Sequence, residues 1–283
     1  QRHMNLLLKK GSLYKVYNNN LLYHGCIPLN EDGSFKAVDI YGKKYKGKAL
    51  YEVLEAYVRK AFVAIDENGE REFSFSRKPG ADTQLTKEEL DRRLLSDCRI
   101  FHFGSLSLTN EPARQTTMEA ATIAKGAGAV ISYDPNYRAS LWKDEKTAVE
   151  GMKSAIPLAD VMKVSDEECL LMTGAATYEE AADQLLAMGP KLVAVTLGGD
   201  GVLVATKEGK QRVQGFKVPV VDTTGAGDSF WGGFLSGFLA LHKKVEDLTQ
   251  EEITRCAVQG NATAGLCVQK RGGIPAIPTR EEV

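Results

Sequence analysis

Asp222-Thr223-Thr224-Gly225-Ala226-Gly227-Asp228-Ser229-Phe230 runs directly into an apolar segment that carries Trp231, Phe234, Leu235, Phe238 and Leu239. The spacing of those side chains predicts a helix over about Asp228 to His242. The glycines before it let backbone approach a ligand, and the first amides of a helix lack acceptors within it. Such a helix start favours an anion, and a phosphate suits it. A carboxylate beside a polyphosphate is unfavourable unless it serves chemistry. Asp228 therefore has two readings: a base that takes the proton of an attacking hydroxyl during phosphoryl transfer, or a simple N-cap.

Outward from this stretch, short β-rich runs alternate with helical patterns from about Ala61 onward, which predicts a sheet with helices on its faces. Ala61 to Asp66 and Arg71 to Ser76 flank Glu67-Asn68-Gly69-Glu70 and read as a hairpin. Strands follow at Arg99 to Phe103, Ala129 to Tyr133, Val161 to Val164, Leu192 to Thr196 and Val202 to Ala205. Helices are expected over Glu111 to Lys125, Lys146 to Ile156 and Glu251 to Val268. Ser165 and Glu168 have capping-box spacing, so another helix begins there. Asp134-Pro135-Asn136 ends its strand at a place where parallel sheets position ligand groups.

Composition narrows the partners. The 283 residues carry 36 basic and 37 acidic side chains, a formal charge of −1, so no broad basic field awaits nucleic acid or anionic lipid. No apolar stretch reaches the roughly 18 residues of a membrane span. Five scattered cysteines form no C-x-x-C pair and read as reduced thiols of a cytoplasmic protein. A small-molecule partner is the expectation.

Residues 222 to 230 resemble the C-terminal signature of the ribokinase family, the PfkB carbohydrate kinases, and further motifs follow in the family's order over about Ala61 to Val283. The resemblance implies a ribokinase-like α/β fold, a mostly parallel central sheet with helices on both faces. It makes Asp228 the catalytic base and the amides of Gly225, Ala226 and Gly227 an anion hole. Lys163-Val164-Ser165-Asp166-Glu167-Glu168 is similar to the N-x-x-E element that orders magnesium through water; Ser165 replaces the usual Asn, and Glu168 carries the role. Thr196-Leu197-Gly198-Gly199-Asp200-Gly201 resembles the nucleotide loop, so Thr196, Gly198, Gly199 and Gly201 are expected beside ATP. Asn261 matches a position flanking the adenine pocket. Gly272-Gly273-Ile274-Pro275-Ala276, with Asp222 and Thr224, falls where relatives hold K+ through backbone oxygens.

Two stretches point to the sugar. Asp134-Pro135-Asn136-Tyr137-Arg138 is similar to the D-x-N-x-R strand end of fructokinases and ketodeoxygluconate kinases, where Arg138 would meet phosphate oxygens with its planar fork and Asn136 would line the substrate. Arg77-Lys78-Pro79-Gly80-Ala81-Asp82 resembles the R-x-P-G-A-D stretch of fructokinases. An ATP- and Mg2+-dependent fructokinase is the expected activity. Alternatives are a ketodeoxygluconate or other sugar kinase, or a nucleotide-binding protein impaired in catalysis.

The family's opening strand and its Gly-Gly-x-x-x-N signature are not found before residue 61, so the βαβ and lid region is atypical or missing. Gln1-Arg2-His3-Met4 looks like a tag remnant. Residues 5 to 60, including Tyr23-His24-Gly25-Cys26-Ile27-Pro28, instead resemble a piece of class III fructose-1,6-bisphosphatase without its metal-binding core. The expected domains are thus 5 to 60 and 61 to 283, with 61 to 77 a lid-type hairpin. A sheet lacking early strands exposes an edge, so either residues 5 to 60 cover it or the chain is poorly stable alone and prone to aggregate or to form a homodimer.

Overall fold

The computed structural model describes residues 14–17, 20–23, 30, 32, 34–40, 42–50, 52–54, 64–65, 71–72 and 80–283. Backbone contacts divide the chain into two compact units, Gln1–Ser76 and Arg77–Val283. That division falls later than the change of character read near residue 60. Among the described residues the first unit carries three antiparallel pairs. They are β1 (Tyr14–Tyr17) with β2 (Asn20–Tyr23), β3 (Val38–Ile40) with β4 (Lys43–Tyr45), and β5 (Ala64–Ile65) with β6 (Arg71–Glu72). The last pair, Ala64 opposite Glu72, agrees with the expected hairpin. Its turn at 67–70 and the candidate Arg77 lie outside the described residues.

The second unit is built on six strands: β7 (Ile100–Gly104), β8 (Val130–Asp134), β9 (Val161–Ser165), β10 (Leu192–Thr196), β11 (Val202–Thr206) and β12 (Gly209–Val213). Their order across the sheet is β12-β11-β10-β9-β8-β7. Strands β7 to β10 run parallel, and β11 and β12 add antiparallel pairings. The helices are α1 (Arg92–Asp97), α2 (Ala113–Gly126), α3 (Glu145–Ala155), α4 (Asp166–Thr173), α5 (Tyr178–Ala187), α6 (Ala226–Ala240) and α7 (Gln250–Cys267).

Strand alternation assigns the two faces. Phe103, Ile131, Met162, Val164, Val193 and Val195 pack with α1 to α5, whereas Val161, Leu192, Ala194 and Val204 pack with Phe230, Trp231 and Phe234 of α6 and with Ile253 and Ala257 of α7. Burying each large side chain of this kind stabilises the fold by about 1.5 to 3 kcal/mol. Helices α6 and α7 approach closely because glycine stands at the contact. A Cβ at Gly233 would lie 2.3 Å from Thr263 Oγ1, and one at Gly260 2.8 Å from the Phe230 ring. The carboxyl ends of β8, β9 and β10, at Asp134, Ser165 and Thr196, open toward the start of α6, which is where open parallel sheets form their binding crevice. Among the described residues no helix is long and apolar enough to cross a membrane.

Candidate active site

Helix α6 begins two residues earlier than its apolar spacing suggests, and this changes the place of Asp228. Gly225 is the N-cap, with φ 77° and ψ 8°, a left-handed conformation that glycine adopts without strain. No side chain caps the helix, so Asp228, its third residue, is not the N-cap. Asp228 is exposed, and its carboxylate makes no hydrogen bond among the described residues. The Ala226 amide donates to Thr223 O at 3.1 Å and so closes the turn. The amides of Gly225, Gly227 and Asp228 have no backbone acceptor among the described residues; those of Gly225 and Gly227 are donors available to an anion.

These groups line a polar cavity of about 520 Å³ with Asn136, Arg138, Lys163 and Glu168. A second, more apolar cavity of about 700 Å³ is lined by Gly198, Gly199, Gly201, Phe216 and Asn261. Thr196, Ala226 and Gly227 border both, so the two spaces meet at the start of α6. One end suits a polyphosphate and the other a flat apolar ring.

The glycines of the loop after β10 serve different purposes. Gly201 has φ 94°, and a Cβ there would fall 2.1 Å from Val213 O, so packing alone requires glycine. A Cβ at Gly199 would meet nothing within 4 Å, which leaves open room on the cavity side. Asn261 is buried, not exposed on a helix face. Its Nδ2 donates to Val213 O at 3.3 Å and Gln214 O at 3.0 Å, fastening α7 to the loop that walls the apolar cavity.

Glu168 performs the predicted capping and more. Its Oε2 accepts from Ser165 N at 2.9 Å while Ser165 Oγ accepts from Glu168 N at 3.1 Å, and its Oε1 accepts from Tyr137 N at 2.6 Å. One carboxylate thus ties the start of α4 to the loop carrying Asn136 and Arg138. With both oxygens already accepting backbone N–H groups, Glu168 fits a divalent ion held through water better than one held directly. Among the described residues no group of three or more His, Cys, Asp and Glu stands together. Arg138 Nη1 donates to Tyr137 O at 2.9 Å, and Asn136, with φ 46°, donates its amide to Asp134 Oδ1 at 3.1 Å. The Asp222 carboxylate accepts from Thr224 N at 2.9 Å and from Gly272 N at 2.8 Å, which fixes the turn before α6 against the loop after α7.

A row of polar residues lies on the sheet face beneath α6; motif reading left out His102 and Ser132 and gave Asp134 and Lys163 no partnership with each other. His102 Nδ1 lies 2.9 Å from Ser132 Oγ, and Trp231 Nε1 donates to the same oxygen at 2.8 Å. Lys163 Nζ donates to Asp134 Oδ2 at 2.7 Å, with both side chains almost fully buried. Burial pushes the Asp134 carboxyl up to about 6; Lys163 opposes this, and Glu168 and Asp228 add to it. Burial, and then Lys163, pulls the His102 imidazole below its ordinary range, against Asp228. The signal was present in the sequence. His102, Ser132, Asp134 and Lys163 occupy strand positions whose alternation calls for apolar side chains.

Fold and site together define an α/β protein of the ribokinase-like type, with a phosphate-suited helix start and an adjacent carboxylate. The chain belongs to the pfkB family of carbohydrate kinases, whose profile matches residues 55–280. Residues 1–75 match that of Firmicute fructose-1,6-bisphosphatase, in keeping with the resemblance read in the first sixty residues. Probable fructokinase-5 of Arabidopsis thaliana is 43% identical over 221 residues, which cover 77% of this chain and 67% of the relative. Fructokinase-2 of Zea mays is 45% identical, covering 77% of this chain and 65% of its own length. The chain thus spans about two thirds of these relatives. Among solved structures, fructokinase of Xylella fastidiosa with bound ATP superposes with a TM-score of 0.70 at 34% identity, covering 78% of this chain and 70% of that one. Fructokinase of Vibrio cholerae O395 with fructose, ADP and calcium gives 0.69 at 32% identity, covering 77% and 70%.

Proposed function

We propose that the chain is an ATP-dependent fructokinase that converts fructose to fructose 6-phosphate. The observation that carries this reading is the Asp228 carboxylate, which caps no helix and makes no hydrogen bond among the described residues, beside the amides of Gly225 and Gly227, where the two cavities meet. The relatives crystallised with fructose and ADP, or with ATP, support the choice of substrates.

In this reading the adenine lies in the apolar cavity beside Gly199 and Asn261, and the triphosphate extends to the start of α6. Asp228 takes the proton of the acceptor hydroxyl. The hydroxyl oxygen bonds to the γ-phosphorus as the bond from that phosphorus to the ADP oxygen breaks. The amides of Gly225 and Gly227 stabilise charge on the moving group, and Arg138 binds phosphate oxygens with its fork. Magnesium, related to Glu168 through water, would neutralise phosphate charge, and K+ would be held by backbone oxygens around Asp222, Thr224 and residues 272–276.

Purified chain with ATP, magnesium and fructose should release ADP and form fructose 6-phosphate, measured in a coupled assay. A second reading, a nucleotide binder without turnover, is motivated by the Gly-Gly-x-x-x-N sugar-binding signature not being found before residue 61. Calorimetric ATP binding without ADP release across a panel of sugars would select it.

A further inference from the structure

Lys163 sits between Met162 and Val164 in a strand buried on both faces. Alternation sends its neighbours to the side of α2 to α5 and Lys163 toward α6. Its side chain is 9% exposed and that of Asp134 4%, with Nζ 2.7 Å from Asp134 Oδ2. A Cβ built at Gly227 would stand 3.1 Å from the same Nζ and 3.5 Å from Cε. The ammonium therefore abuts the first turn of α6 at one of the residues whose amide is left to an anion.

Lys163 and Arg138 supply the positive charge among the residues lining the polar cavity; Glu167, Glu168 and Asp228 supply the negative. Taking an ammonium and a carboxylate out of water is unfavourable, and their attraction repays this in full only with excellent geometry and further hydrogen bonds. An ammonium carries three donors, and Asp134 occupies one. The pair lies at the cavity wall under the anion-binding turn, where a second anion can take up the remaining donors.

We propose that Lys163 is a catalytic residue whose ammonium, aimed by Asp134, hydrogen-bonds the outer phosphate of a bound nucleoside triphosphate and stays with that phosphoryl group as it moves to the acceptor hydroxyl. Asp134 is a positioning residue that acts through Lys163. No bond to either side chain forms or breaks. The inference rests on reading this cavity as the phosphate site, but not on fructose being the acceptor.

The decisive comparison is calorimetric, on the whole chain with magnesium and without sugar: a non-hydrolysable ATP analogue against ADP. Lys163→Met should weaken the analogue at least about tenfold while leaving ADP within about twofold, because only the triphosphate has the outer group. Lys163→Arg should recover part of that preference. Where the wild type turns over fructose, Lys163→Met should lower kcat about a hundredfold with the sugar KM little changed. Should Lys163→Met not fold, Lys163→Gln, which keeps a donor without the charge, provides the same comparison. Equal weakening of analogue and ADP, or of neither, would make Lys163 a structural ion-pair partner and overturn the proposal. Absence of fructose turnover in the wild type would defeat the fructokinase reading alone. Failure of the wild type to bind the analogue would defeat both.

Discussion

The two faces of the six-stranded sheet are built differently. Toward α2 to α5, Phe103, Ile131, Met162, Val164, Val193 and Val195 form a continuous apolar core, in which the Tyr133 hydroxyl donates to Met152 O at 3.1 Å. Toward α6 the apolar set is interrupted by His102, Ser132, Asp134 and Lys163, which hydrogen-bond among themselves and with Trp231. Burying polar groups is tolerated only where each finds a partner. One face is a continuous apolar core, and the other gives up apolar contact to hold charged and polar groups beneath the start of α6. Substitutions on the two faces should therefore separate folding from turnover.

The sharpest separation is expected at the exposed end of the second face. Asp228→Asn should lower kcat at least about a hundredfold and leave the melting temperature unchanged, because the carboxylate caps nothing. Steady-state kinetics beside thermal melting checks both halves; full activity would remove Asp228 from the mechanism.

On the opposite face, Met162→Ala should destabilise the protein by about 2 to 5 kcal/mol through lost burial and the cavity left behind. Denaturant titration reads this, and activity per folded molecule should hold.

A pH series probes the boundary between the faces, with opposite signs for activity and stability. Asp134 has its carboxyl raised to about 6 from 3.8, and it faces Lys163 of β9, Glu168 of α4 and Asp228 of α6. As pH falls through about 6 the carboxyl gains a proton, Lys163 loses its charged anchor, and kcat/KM should drop. Its contribution to stability runs the other way. That contribution is fully present below about 4, where folded and unfolded states are both protonated, and is lost as pH rises through about 6. In Asp134→Asn the acid step in the rate profile should vanish.

The smallest effect belongs to Trp231→Phe. It removes the Nε1 bond to Ser132 Oγ, which His102 still engages, and should cost about 1 kcal/mol in denaturant unfolding.

The fold was legible wherever a local rule operated. Leu192 to Thr196 read as a strand to the residue, and the Ser165 and Glu168 box marks where α4 begins. Strand β12 escaped because Gly209 to Arg212 are exposed and polar, with no alternation to detect. Helix α5 lay in a stretch left unread between the capping box and Leu192, although Thr177 caps it through Glu180 N. At the site, the helix start and loop glycines were legible as motifs, whereas the partnership of Asp134 with Lys163 joins residues 29 positions apart on neighbouring strands. Only register brings such a pair together, and register is not written in either segment alone.

Asp222 fastens residues far apart along the chain. Its two oxygens hold Thr224 N and, 50 positions away, Gly272 N, so the turn before α6 and the chain beyond α7 are knotted at one point. The helical hairpin between them behaves as a loop drawn shut by a clasp. Slackening the tail beyond Val268, by a protease nick or a lost carboxylate, would be felt as play in the turn where we propose the phosphate is received.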